Sequence, residues 1–261
     1  MRFPGRAVLR RLAPRRRPRE NAGPRLLAAF AEEYPRASFA EIGANDGKQH
    51  DFLRPLVLSH DWRGLIVEPV PYVFERLRAN YAGQERLSLQ NVAIAPESGE
   101  RPFFHLAEVD DPQREGLPEW YDGIGSFSRD ELLSHAPHIP DIADRVVETR
   151  VPCVTLEELC ARNGFDQLDL LLIDTEGYDW EIIRHLDLAK LGPRVIVYEH
   201  YHLSPDDRAA CSEHLASVGY ETIEEHFDTF GLAMGPDDAL SRLWTRLEPV
   251  IPGIAAYEDR S

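Results

Sequence analysis

The sequence predicts an α/β fold with a mostly parallel sheet covered by helices on both faces. Three observations carry this. Strand-like and helical patterns alternate from Pro24 onward, the order expected of a parallel sheet wound with helices. The strands are short continuous apolar runs, as strands buried on both faces are. Four of the runs end in a carboxylate, at Glu41, Glu68, Asp174 and Glu199. Ligands in such sheets bind at the carboxyl ends of the strands, so these acids mark one functional edge.

The elements follow in order. Pro24 suits a first helical position. Leu26, Leu27, Phe30 and Tyr34 then share one helical face until Pro35 stops the helix. Residues 38–42 form a strand. A helical stretch covers roughly 49–59, restrained by Pro55, and 65–67 is the second strand. Pro71 opens a helix with Phe74, Leu77 and Tyr81 on one face, closed by Gly83. Residues 87–94 read as a third strand. Residues 96–145 hold several prolines, the turn-like Asp122-Gly123 and a short helical stretch near 130–135; they read as an insertion on the rim of the sheet. Regularity returns at 146–154. Thr155 with Glu158 forms a capping box for a helix that closes at Asn163-Gly164. Residues 168–173 are an apolar strand, 178–186 a helix and 195–198 another apolar strand. Ser204-Pro205-Asp206-Asp207 starts a helix that ends at Gly219. Two last strands lie near 220–225 and 229–234.

A chain of 261 residues, 43% hydrophobic, has material for a sizeable core. No stretch approaches the ~20 apolar residues of a membrane span, and no apolar core behind a charged start marks a secretory leader. Cys153, Cys160 and Cys211 are odd in number and widely spaced, which gives no disulfide framework. They read as packing residues in a reducing, cytoplasmic setting. The net charge of -16 is unevenly placed. Residues 1–25 hold nine arginines and one acid, leaving 20 basic against 44 acidic residues beyond. So acidic a body repels phosphate backbones and argues against a nucleic-acid substrate. The Arg-rich head, 1–23, reads as a flexible solvated segment. Residues 24–240 read as the folded domain and 241–261 as a C-terminal tail.

The chemistry starts at Glu41-Ile42-Gly43-Ala44-Asn45-Asp46-Gly47. Gly43 and Gly47 allow a sharp turn and a close approach to a ligand. Their Gly-x-x-x-Gly spacing is not that of dinucleotide-binding loops, and the lysine of a phosphate-binding loop is missing. Glu41, just before the loop, is poorly suited to a pyrophosphate. It suits the ammonium and sulfonium of S-adenosylmethionine. Glu68 lies 25 positions after Gly43 and ends the next strand, where an acid accepts hydrogen bonds from ribose hydroxyls. Asn91, at the third strand, is placed to read the adenine edge, although an Asn before a turn also serves the turn itself.

These stretches resemble the FkbM-type methyltransferases. The matching segments are 39–47 (FAEIGANDG), 65–69 (LIVEP), 91–94 (NVAI) and 170–177 (LLLIDTEG) with Asp179. Residues 195–199 (VIVYE) and Gly219-Tyr220 also fit. The resemblance covers about residues 36–234. It implies a class I methyltransferase Rossmann-like fold with a seven-stranded sheet, and S-adenosylmethionine-dependent methylation of a hydroxyl on a sugar or natural product. It implies cofactor roles for Glu41, Gly43, Asn45, Gly47 and Glu68, and an active-site role for Asp174 and Glu176. Family members usually carry Glu where this chain has Asp179, which questions any role needing that carboxylate's reach. The loop 123–127 (GIGSF) is a candidate wall of the acceptor pocket.

Methyl transfer needs an aligned acceptor oxygen and a place for its proton. Asp174, Glu176 and Glu199 are candidate bases, since clustered carboxylates raise one another's pKa. His200 and His202 are rival bases. Glu176 can alternatively be an acid at a helix N-terminus, facing the dipole. Acids and histidines at strand ends can also bind Mg²⁺ or a transition metal, but no compact ligand spacing demands one, and a metal-free site is expected. Two other functions compete: a nicotinamide-dependent oxidoreductase, disfavoured by the glycine spacing, and a non-catalytic scaffold on the same fold, disfavoured by the intact acids at four strand ends.

Overall fold

The computed structural model describes residues 21–253. In chain order its strands are β1 (Ser38–Ile42), β2 (Arg63–Val67), β3 (Leu87–Gln90), β4 (Ala93–Ile94), β5 (Gly99–Leu106), β6 (Gly125–Ser126), β7 (Val146–Val154), β8 (Leu170–Ile173), β9 (Val195–Glu199), β10 (Tyr220–Glu225) and β11 (Asp228–Ala233). Its helices are α1 (Ala22–Glu33), α2 (Arg54–Ser59), α3 (Pro71–Asn80), α4 (Arg129–Ser134), α5 (Ile142–Arg145), α6 (Leu156–Arg162), α7 (Asp179–Ile183), α8 (Leu188–Leu191), α9 (Pro205–Ser217) and α10 (Ala239–Trp244). The central sheet has seven strands in the order β10-β11-β9-β8-β1-β2-β3. Only β11 runs against the direction of the other six strands. Strand order reverses between β1 and β8, and a crevice opens there at the carboxyl edge.

Two apolar layers hold the sheet, one on each face. Phe30, Phe39, Trp62, Ile66 and Leu77 lie on one side. Ile42, Leu65, Leu171, Ile173, Ile196 and Leu215 lie on the other. Both faces are covered because the strands carry apolar residues at consecutive positions: all four residues of β8 are buried. Two of the helix starts read from the sequence are capped by side chains, while α1 and α3 begin without one. Ser204 Oγ accepts from Asp207 N at 3.2 Å and Thr155 Oγ1 from Glu158 N at 3.2 Å. The capping box at Thr155 is only half closed, because the Glu158 carboxylate turns to Ser98 and Arg162. Helix α2 is shorter than the expected 49–59. The Asp51 carboxylate takes the amides of Leu53 and Arg54, each at 2.8 Å, and the helix begins only there.

The single strand expected over 87–94 is two strands. β3 leaves the central sheet after Gln90, and β4 joins a second sheet of order β4-β7-β5-β6. Asn91 makes the corner, its amide donating to the carbonyls of Glu68 (2.8 Å) and Pro69 (3.0 Å). The insertion expected over 96–145 is more ordered than its composition suggests. β5 pairs antiparallel with β7 from Gly99 to Leu106, over a separate core that includes Leu106, Tyr121, Leu132 and Ile139. Arg76 of α3 anchors it through an ion pair to the buried Asp122 at 2.6 Å.

The expected domain boundaries also move. Residues 1–20 of the Arg-rich head lie outside the described residues, but 21–23 belong to the fold. Ala22 and Gly23 donate their amides to the Glu225 carboxylate at 2.7 and 3.1 Å. The segment expected as a tail contributes α10 and Leu247, and Trp244 and Leu247 enter the same core as Phe30. Val250 N also reaches Glu225, at 3.3 Å. No helix among the described residues is long and apolar enough to cross a membrane.

Candidate active site

A cleft of about 930 Å³ opens at the carboxyl ends of β1, β2, β8 and β9. One wall is the turn after β1. Gly43 (φ +84°) and Gly47 (φ +66°) have left-handed backbone, and Asn45 between them does too (φ 49°). A Cβ on Gly43 would stand 1.6 Å from the Asp174 carbonyl oxygen, and one on Gly47 would enter Leu77 and Tyr81. The glycines are therefore required by contact between β1, β8 and α3. Gly43 N and Ala44 N are both spent on the Val67 carbonyl at 3.0 Å. What the turn offers a ligand is its side chains.

Glu41 is 3% exposed, and its Oε2 is buried with no hydrogen-bond partner. Its pKa stands well above the ordinary range, first from burial, then from the nearby charges of Asp51 and Asp174. A buried carboxylate oxygen without a donor, on the wall of a ligand-sized cleft, fits a cationic ligand group. Glu68 accepts from Asn45 N at 3.1 Å and Val70 N at 2.7 Å. Burial pushes it up to about 7, against the pull of those two amides. Each Glu68 oxygen keeps a lone pair for a hydroxyl. These residues fit S-adenosylmethionine, whose cationic end Glu41 would face and whose ribose Glu68 would hold. Asn91 is absent from the cleft wall, since its amide is occupied at the β3–β4 corner; Val92, Ala93 and Ile94 line the cleft there.

The opposite wall holds the chemistry. The chain leaves β8 through Asp174 and Thr175, then turns on Glu176 (φ 52°) and Gly177 (φ +93°). Glu176 therefore sits in a turn and not at the start of a helix, because α7 begins at Asp179. Asp179 is fully buried. It accepts from Thr175 Oγ1 at 2.9 Å and from Glu199 N at 3.3 Å, stapling the turn to the end of β9. Burial raises it to about 7. Asp174 is exposed and lines the cleft. Desolvation raises its pKa well above the ordinary value, and Glu176, Asp179, Asp228 and Glu68 push the same way. Glu199 is raised by the same two causes, burial first and Asp174 next.

His200 is not on this wall. Strand side chains alternate, and Glu199 faces the cleft, so His200 turns inward. It is 0% exposed, with Nδ1 at 2.9 Å from Thr229 Oγ1. Burial and Arg208 lower its pKa to about 4. The histidine beside Glu176 and Glu199 in the cleft is His202, three residues past Glu199. Its Nε2 lies 3.0 Å from Glu176 Oε2 and 4.0 Å from Glu199 Oε1, and its Nδ1 3.3 Å from Glu131 Oε1. Burial alone would lower its pKa, but the bond and charge of Glu176, then Glu131, outweigh it and raise it.

Several cleft residues went unnamed in the sequence. Asp228 lies directly across from Glu199 in the β9–β11 register, raised to about 6 by burial and Glu225. A hairpin register read backward from β10 would have found it. Trp120, His135, Tyr201 and Phe227 form the mouth; they come from irregular loops and left no periodic signal. The loop 123–127 lines the cleft throughout.

The curated 2-O-methyltransferase NoeI of Sinorhizobium fredii is 30% identical over 152 residues, which span 58% of this chain and 58% of NoeI. Among solved structures, a methyltransferase FkbM from Methylobacillus flagellatus matches with a TM-score of 0.49 and 11% identity, over 76% of this chain and 44% of that one. An S-adenosylmethionine-dependent O-methyltransferase from Thermotoga maritima matches with a TM-score of 0.40 and 9% identity, over 83% and 66%. The model of the methyltransferase FkbM domain matches residues 41–229, from the last two residues of β1 to the start of β11, and the chain belongs to that family.

Proposed function

We propose that this protein is an S-adenosylmethionine-dependent O-methyltransferase acting on a hydroxyl of a sugar or other small molecule. The observation that carries the reading is one cleft with two kinds of carboxylate wall. Glu41 and Glu68 face it from β1 and β2; Asp174, Glu176 and Glu199, with His202, face it from β8 and β9. When bound, S-adenosylmethionine supplies a methyl group on a positively charged sulfur. Glu68 holds the ribose end and Glu41 the cationic end. Asn45, Gly43 and Gly47 shape the turn between them. The second wall positions the acceptor oxygen and takes its proton as the C–O bond forms and the C–S bond breaks. Asp174 is placed for that, because it lines the cleft and the carboxylates around it raise its basicity. The 2-O-methyltransferase name of NoeI supports an oxygen acceptor.

The test uses labelled methyl donor against a panel of glycosides and hydroxylated natural products. Asp174→Asn keeps size and removes basicity. Turnover should fall about a hundredfold or more, with cofactor affinity changing much less. Wild-type turnover in the folded variant would remove Asp174 from the chemistry. Cofactor binding with no transfer to any acceptor would favour a non-catalytic scaffold.

A further inference from the structure

We infer that Glu176, Glu199 and His202 form a divalent-cation site in the acceptor half of the cleft. One nitrogen and one oxygen from each carboxylate lie within 4.8 Å of one another. His202 Nε2 is 3.0 Å from Glu176 Oε2 and 4.0 Å from Glu199 Oε1. Ligands held ~2.1 Å from one ion stand roughly 3–4 Å apart, so modest closure would place all three on a common centre.

Two observations beyond the cluster point to an ion. The first is the far side of the imidazole. His202 Nδ1 lies 3.3 Å from Glu131 Oε1 of α4. A histidine that ligates a metal usually gives its other ring N–H to a carboxylate, which fixes the ring and frees the ligating nitrogen. Glu131 stands at ion-pair distance from that nitrogen, outside the cluster, while Nε2 lies on the side of Glu176 and Glu199. The second is Glu199. Its amide is fixed by Asp179, while its Oε2 is buried without a hydrogen-bond partner. That oxygen has a full set of lone pairs and no donor.

The donor set also bears on the ion. One imidazole with two carboxylates suits Mn²⁺, Fe²⁺ or Zn²⁺ better than the all-oxygen shells that Mg²⁺ and Ca²⁺ favour. Three protein ligands leave positions open, as in sites where a metal meets a substrate oxygen. The cleft beside them is where the acceptor hydroxyl would sit. A role for the ion in holding that oxygen rests on the reaction proposed above, whereas the site itself does not.

Cation binding is therefore measured without turnover. Mn²⁺ is titrated into the full chain and followed by the paramagnetic resonance of the free ion, with and without S-adenosylhomocysteine. The expected result is one saturable site per chain that persists with the nucleoside bound. Glu176→Gln and Glu199→Gln should each weaken it at least tenfold, and Glu131→Gln by about 10- to 100-fold. Retained S-adenosylhomocysteine binding shows that each variant is folded. No saturable site would overturn the inference. So would loss of the site on adding S-adenosylhomocysteine, which would give the cluster to the cofactor's ammonium. Loss in His135→Asn, with Glu176→Gln unaffected, would overturn it too by moving the ion to Glu131, His135 and His202. Failure to find an acceptor with the Mn²⁺ site intact would count against the proposed reaction alone.

Discussion

Glu68 does two jobs at once, and its substitution should show both. Its oxygens hold the Asn45 and Val70 amides, and its remaining lone pairs face the cleft. Glu68→Ala should remove a charge-assisted contact worth roughly 1.5–3 kcal/mol, about a ten- to hundredfold loss in S-adenosylmethionine affinity. It also leaves two amides without their acceptor, so the melting temperature should fall as well. Calorimetry well below that temperature, finding unchanged affinity, would refute the ribose assignment. At this scale the sequence was informative wherever a residue closes a regular strand: Glu41, Glu68, Asp174 and Glu199 all reach the cleft. It was misleading one step further. His200 and Asn91 are polar residues next to strand ends, as the useful acids are. The strand's twofold alternation sends His200 into the core, and a corner between two sheets consumes the Asn91 amide.

At the scale of elements, the turn after β1 is the least tolerant of change. Gly43→Ala combines a left-handed backbone with a Cβ 1.6 Å from a backbone oxygen of the neighbouring strand connection. Neither the β1 turn nor Asp174 can yield without parting β1 from β8. Denaturant unfolding should show a loss of more than ~2 kcal/mol, the order of small-to-large strain added to a left-handed penalty. Cofactor binding should fall with it. A neutral effect would mean that the two turns do not meet as described. The strands of the central sheet were legible because buried parallel strands announce themselves as apolar runs. The second sheet was not. β5 reads Gly99-Glu-Arg-Pro-Phe-Phe-His-Leu, half exposed and carrying a proline, and its pairing with β7 is set by a hairpin-like return of some forty residues with no local signal. Helix α10 escaped notice for a similar reason: six residues are too few to show a period, and only the packing of Trp244 reveals it.

At the scale of the molecule, the acids in and behind the cleft make a pH prediction. Glu68 and Asp179 are raised to about 7 and Asp228 to about 6, each mainly by burial. A carboxyl that binds its proton more tightly folded than unfolded contributes stability fully present below its unfolded pKa. That contribution is lost as pH rises through the folded value. The ligand-free protein should therefore melt at lower temperature at pH 8 than at pH 5, by on the order of several degrees. A bound cation favours the charged carboxylates, so saturating S-adenosylmethionine should flatten the slope. Scanning calorimetry across pH 5–8 checks both statements, and a ligand-free protein that gains stability with rising pH would contradict the first. The overall charge of the chain pointed toward an acidic surface; it gave no hint that so much of the acid faces one crevice.

The Glu225 carboxylate gathers Ala22, Gly23 and Val250 at a single point. In topological terms the described polypeptide is nearly a closed ring. Ends that meet at the surface are the condition under which a protein tolerates having its chain order rewritten. A short flexible link from residue 253 to residue 21, with new ends cut at the exposed Glu97-Ser98 bend between β4 and β5, should yield a circular permutant that refolds and still binds S-adenosylhomocysteine. A permutant that fails to fold while Glu225 keeps its contacts in the parent would show that the order of synthesis, and not only the final contacts, matters to this sheet.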